Sequence, residues 1–290
     1  MSQSEMRTGS RPGRVLVTGA TGTVGSHVCA ELTAFEELTV RAAVRDPDGY
    51  DGPADEIVTF DFTDPTTYRG AFVDVDSLFL VRPPAISRVE RDLVPALAAA
   101  VGAGVDHVVF LSVIGADRNP VVPHAKIESW LTESGVETTF LRASFFMQNL
   151  VTEHLDEVRA GELFVPAGGG ETSFVDARDV AAVAAVALMT GRTGAYDLTG
   201  PESLDYHEVA AVLSAELDYR VRYVAPSLLR FCWRRARRGG DLRKVLVMAG
   251  IYTTVRLGFA GRVSGDVRYL LGRDPRSFST FVRDYRDVLS

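Results

Sequence analysis

The stretch VLVTGATGTVGSHV, residues 15–28, constrains this chain more than any other. An apolar run, Val15–Thr18, leads into Gly19, Gly22 and Gly25, and then into residues of helical character. The first glycine permits a tight bend, the second lets backbone approach a bound group, and the third allows a helix to pack closely on a strand. The free amides of a helix start attract an anion. Strand, loop and helix in that order predict a phosphate-binding turn for a dinucleotide, although the spacing is G-x-x-G-x-x-G rather than G-x-G-x-x-G. Gly19, Thr21, Gly22, Thr23, Val24 and Gly25 are its candidate residues.

The first half of the chain continues in the same rhythm. Strands are predicted at 14–18, 39–44, 56–60, 77–81, 107–112 and 138–142, and helices near 23–35, 65–72, 89–101 and 123–134. Runs such as SLFLV and VVFL are apolar without alternation, the pattern of strands buried on both faces of a parallel sheet. The expected fold is α/β, a Rossmann-type doubly wound parallel sheet, with a smaller, interleaved C-terminal substrate lobe. Residues 1–13 read as a loose lead-in, 14–150 as the dinucleotide-binding domain and 151–290 mostly as the lobe. Return elements are expected near 172–200, where ARDVAAVAAVAL reads as a long helix packing on the sheet.

The second strand bears on which dinucleotide is bound. A strand ending in an acid suits the ribose hydroxyls of NAD. Here Arg45 follows Val44, and it can pair with a 2′-phosphate and stack on adenine. Asp46 argues the other way, but Pro47 turns the chain there. NADP(H) is therefore preferred over NAD(H). Asp61 and Phe62 should flank the adenine, and Leu80, Val81, Arg82 and Pro83 should border the nicotinamide ribose.

Composition excludes several classes. The net charge of -7 argues against a nucleic-acid binder. Cys29 and Cys232 fit no metal or redox spacing, so no metal site is expected. The polar start MSQSEMRTGSRPGR has no apolar core of a signal peptide, and no run of about 18 apolar residues occurs. A cytoplasmic protein with a small-molecule substrate is expected, without nucleic acid or integral membrane segment, and with a homodimer as a compatible assembly.

Taken together, VLVTGATGTVGSHV, VRAAVRDP, DFTDP, HVVFLSVIGAD, HAKIESWLTESGVETTFLRASFFMQNL, FVDARDVA and YDLTGPESLDYHEVA resemble the NmrA-like group of atypical short-chain dehydrogenases/reductases, over roughly residues 14–212. The resemblance implies a Rossmann domain, a small substrate lobe and NADP(H) binding. The group includes reductases of quinones, triphenylmethane dyes, imines and ketones, and also regulators that bind the dinucleotide without turning it over. The Tyr-x-x-x-Lys pair of better-known short-chain dehydrogenases is missing, since no Tyr lies between Tyr68 and Tyr196. His124 and Glu128 stand in its place, an arrangement similar to the quinone-reductase and triphenylmethane-reductase branch. Ala143 departs from the group's usual Pro.

On a helix from Pro123 to Gly135, His124 and Glu128 share the face of Ile127 and Leu131, while Lys126 points away. His124 is the candidate catalytic residue. With an ordinary pKa near 6.5 it would offer either a proton or a hydrogen bond; the competing reading is a histidine satisfied by backbone near the sheet. Glu128 reads as an orienting partner or a first-turn acid, and Ser112 as a hydroxyl contact or a strand-end residue. Ser144, Phe145, Phe146 and Met147 are candidate walls of a substrate pocket, with core packing as the alternative. Asp176, Arg178 and Asp179 read as structural. The basic segment 228–244, with Phe231 and Trp233 interleaved, suits an anionic substrate, a membrane surface, or a solvated helix with an apolar stripe. The favoured expectation is an NADP(H)-dependent reductase of a small, largely apolar, aromatic, quinone, imine or ketone substrate. The alternatives are a dinucleotide-sensing regulator acting through a protein partner and, more weakly, an epimerase or isomerase.

Overall fold

The computed structural model describes residues 13–290; of the expected lead-in at 1–13, residues 1–12 lie outside them and Gly13 begins the first strand. The chain divides into two compact units. The first comprises residues 13–143, 177–198 and 266–273 of the described chain. It is built on a seven-stranded sheet in the order β3-β2-β1-β4-β5-β6-β8. The strands are β1 (Gly13–Thr18), β2 (Leu38–Val44), β3 (Glu56–Thr59), β4 (Ser77–Val81), β5 (His107–Val113), β6 (Glu137–Ala143) and β8 (Gly194–Leu198). Every pairing is parallel. The strand order reverses between β1 and β4, which places the topological switch point at their carboxyl ends.

The apolar runs behave as their composition dictates. SLFLV is buried through its first four residues, whereas edge strand β3 alternates between half-buried and exposed positions. One face packs against helices Tyr68–Phe72, Val94–Gly102 and Pro123–Ser134, whose Phe72, Leu97, Ile127 and Leu131 join Leu16, Leu78 and Phe110 in one core. Helix Thr23–Leu32 packs on Ala177–Thr190, the expected return helix. The small Ala and Val side chains of that second helix are buried on most sides, where a bulkier sequence would hold its neighbours apart.

The second unit comprises residues 144–176, 199–265 and 274–290. The change of unit falls at Ser144 rather than at 151, because β6 ends at Ala143, and residues 266–273 return to the sheet as well as 177–198. Two short parallel strands, β7 (Glu162–Phe164) and β9 (Arg222–Val224), support helices Tyr206–Leu217, Leu228–Arg237, Leu242–Arg256 and Phe278–Asp284. Asp205 and Glu208 close a capping box at the first of these helices. The core is aromatic, with Phe164, Phe174, Tyr206, Phe231, Tyr252, Phe278 and Phe281 packed together.

Candidate active site

The glycine loop lies over the switch point. Gly19 adopts φ +67°, a left-handed conformation that a side chain would strain, and its missing Cβ would lie 3.1 Å from Val81 Cβ. The Gly22 amide donates to Gly19 O at 2.8 Å and closes the turn. A Cβ on Gly25 would come within 2.1 Å of that same carbonyl, so the helix can begin this close to the loop only with glycine there. Thr18 fastens the floor, its hydroxyl donating to Phe79 O at 3.0 Å and accepting from Val81 N at 2.8 Å. Gly19, Thr21, Gly22 and Thr23 are exposed, whereas Val24 and Gly25 are buried. The helix that starts at Thr23 has neither a side-chain cap nor an acid in its first turn. Its amides and the positive end of its dipole are thus available to an anion.

Arg45 follows β2, is exposed, and forms no hydrogen bond with another described residue. Asp61 is held below the usual carboxylate range by donation from the Thr63 backbone and hydroxyl, each at 2.7 Å, and by the nearby charge of Arg45. These two expectations therefore fall in one neighbourhood. Phe62 does not present its ring there. It packs edge-on to Phe60 with centroids 4.8 Å apart, and its carbonyl accepts from Tyr68 Oη at 2.6 Å. Its role is revised to core packing, because burial of the ring outweighs display at an edge.

At the end of β4 and just beyond it the expected residues again separate by facing. Leu80 is fully buried in the core and offers no side chain to a ligand. Val81 and Pro83 are half-buried, and Val81 lies under Gly19. Arg82 turns back on its own loop, with Nη1 donating to the carbonyls of Pro83 at 3.0 Å and Ile86 at 2.7 Å. It braces the segment that borders the switch point.

Pro123 is the first residue of the helix carrying His124, and Gly135, at φ +75°, ends it. The His124 ring stacks on Phe110 with centroids 5.9 Å apart and planes inclined by 24°. Burial, helped by the charge of Arg82, pushes its pKa down to about 4. The ring is thus shifted away from the titration near neutrality that its ordinary value would give, toward the neutral imidazole.

Glu128 is not its partner. The Glu128 carboxylate is buried, accepts from Ser112 Oγ at 2.5 Å, and forms a two-pronged pair with Arg142 at 3.1 and 2.6 Å. Ser112 and Arg142 are register partners across β5 and β6. The three residues anchor the helix to the sheet, with the side chains of Ser112 and Glu128 engaged with each other and with Arg142. Lys126 is exposed and pairs with Glu90 at 2.9 Å, on the outward side as the helical pattern predicts.

Residues 144–147 belong to the second unit. Ser144 Oγ bonds Ser173 Oγ at 3.1 Å, Phe145 meets Phe174 edge-on, and the Met147 amide donates to Val175 O at 2.9 Å. Met147 is buried in the core of its unit and is corrected from pocket wall to core residue. Phe146 is half-buried and lies outside that core, so it retains apolar surface to offer. Asp176 accepts from Gln148 Nε2 at 2.8 Å, and fully buried Asp179 pairs with Arg273 at 2.8 Å, both as structural acids.

The parallel sheet, the reversal of strand order and the exposed glycine turn over it define a Rossmann-type α/β protein. The chain belongs to the NmrA-like family, whose model matches residues 12–229. It is 34% identical over 283 residues to the NAD(P)H azoreductase of Xenophilus azovorans, covering 93% of this chain and 96% of that one. The structure of the NADPH-dependent quinone oxidoreductase of Escherichia coli complexed with NADPH aligns with a TM-score of 0.83 at 22% identity, over 93% of this chain and 99% of that one. The triphenylmethane reductase of Citrobacter sp. complexed with NADP(H) aligns with a TM-score of 0.80 at 22% identity, over 94% and 99% of the two chains. At this identity the two structures establish the fold.

Proposed function

We propose that the chain is an NAD(P)H-dependent reductase of small, largely apolar acceptors, quinones, azo compounds and cationic dyes foremost, and that it prefers NADPH to NADH. The observation that carries the reading is the exposed turn Gly19–Thr23, uncapped and free of acids, at the switch point. The residues present fit a dinucleotide: the turn and helix start would hold the pyrophosphate, Arg45 the 2′-phosphate, and Val81 and Pro83 the ribose on the nicotinamide side. When bound, NAD(P)H supplies the hydride. The NAD(P)H azoreductase relative, similar along nearly its whole length, supports the same reading.

The acceptor class follows from His124. A neutral imidazole gives a hydrogen bond, not a ready proton, at neutral pH. Such a site suits acceptors that take a hydride before they need a proton. A plain ketone, which gains more from a positioned acid, is served less well.

The test pairs binding with turnover. Arg45→Ala should weaken NADPH binding about 10- to 100-fold, the loss of a charge-assisted contact, and leave NADH binding nearly unchanged. Wild-type protein should oxidise NADPH with a quinone or an azo dye faster than with a ketone. Equal loss for both nucleotides would remove the 2′-phosphate from Arg45. Tight binding without turnover of any acceptor would sink the reductase and leave a dinucleotide-sensing protein.

A further inference from the structure

The second unit carries a surface that nucleotide binding does not use. Residues 228–262 hold nine basic residues and one acid, Asp241, in a chain whose net charge is -7. Four of the bases have acidic partners: Arg234 pairs with Glu162, Arg235 and Arg238 with Glu157, and Lys244 with Glu153. Arg237, Arg243 and Arg256 have no acid partner among the described residues, and Arg230 forms no ion pair, though its charge is felt by Glu162. Among these cations stand exposed apolar side chains: Leu229 is 84% exposed, Trp233 60%, Leu246 58%, Val247 61%, Leu257 63% and Phe259 74%. A single exposed leucine needs no explanation, but this density within one segment does.

The helical pattern shows that the exposure is built in. In Leu228–Arg237, Phe231 is buried, while Leu229 and Trp233, four apart, share the outward face. The Arg237 guanidinium lies over the Trp233 ring at 4.8 Å. Leu242–Arg256 buries Val245, Tyr252 and Val255, yet its opposite side shows Leu242, Leu246 and Val247 to solvent. A helix apolar on both sides is short of a partner on one of them.

We propose that this face seats the protein on an anionic lipid surface. Charge complementarity selects the occupant. A second copy docked through the same patch would set like charges against each other across the two-fold axis. A bilayer with anionic headgroups supplies the opposite charge and accepts scattered convex apolar side chains without matching their shape. Trp233 under Arg237 is the pairing of aromatic ring and cation that the headgroup region favours. Association is peripheral, since no helix among the described residues is long and apolar enough to cross a membrane.

Sedimentation with phosphatidylcholine vesicles, with and without an equal share of phosphatidylglycerol, tests the proposal. The protein should pellet with the anionic vesicles at low salt, remain in solution with the neutral ones, and be released by high salt. Trp emission should shift to the blue with anionic vesicles, and the shift should be absent in Trp233→Phe. Arg237→Glu/Arg243→Glu and Trp233→Glu/Val247→Glu should each weaken vesicle binding at least about tenfold while NADPH binding stays unchanged. Three results would each overturn the proposal: no preference for anionic vesicles, vesicle binding that survives both double variants, or a lipid-independent dimer that both variants dissolve. The last would assign the face to a second copy, and binding of an acidic protein without vesicle binding would assign it to that partner.

Discussion

At the residue scale, His124 shows how position and chemistry are separate questions. Its place on the chain is where the resemblance sets an acid-base residue, but burial against the sheet, helped by the nearby charge of Arg82, disfavours the proton. Because the folded-state value is depressed, the unfolded chain binds the proton first as pH falls. The contribution of His124 to stability should therefore decline from about pH 6.5 to about pH 4, by roughly 3 kcal/mol at most. His124→Ala should flatten that stretch of a melting-temperature profile. Over pH 6 to 8, kcat/KM of the wild type with a quinone should show no histidine titration. An inflection near 6.5 that the substitution removes would contradict the neutral ring.

At the element scale, helix Pro123–Ser134 is positioned by a carboxylate whose hydrogen bonds go to Ser112 and Arg142 and not to the His124 ring. Glu128 is buried, and Arg142 and Ser112 saturate its carboxylate. Removing one partner of such a pair leaves a poorly compensated charge. Glu128→Gln should cost about 3 kcal/mol in urea unfolding, with little change in the slope. Its effect on NADPH binding should be small, because the glycine turn sits on β1 and β4. A large loss of nucleotide affinity with unchanged stability would instead put Glu128 at the ligand.

For the whole molecule, the two proposed ligands fall on different units. The elements proposed to hold the nucleotide all lie in the sheet unit, and the cationic apolar segment lies in the other. A ligand that binds only the folded form stabilises it by mass action. NADP at a hundred times its Kd should raise the stability of the sheet unit by about 2.7 kcal/mol, read as a concentration-dependent rise in its thermal transition. Anionic vesicles in place of NADP should leave that transition where it is.

What the sequence determined by itself was local. The unbroken run Ser77–Val81 formed the strand expected of it, and Pro123–Ser134 matched its predicted bounds, because apolar patterning and terminal Pro and Gly act over neighbouring residues. The glycine turn was legible for the same reason: left-handed backbone and close approach are demands on single positions. Facing was not legible inside a sheet covered on both sides, where every residue of a run is apolar, so Leu80 could be turned inward only by the packed structure, and Phe62, in the turn after β3, only by the aromatic ring of Phe60 beside it. Nor was the partner of Glu128. A helical pattern sets Glu128 beside His124, but Arg142 reaches it because β6 lies next to β5 with Ser112 opposite Arg142, and strand order is a long-range property. The elements and the cradle were written in short stretches of chain, whereas the protonation of His124 and the anchoring of its helix were decided by burial and by charges brought together only on folding.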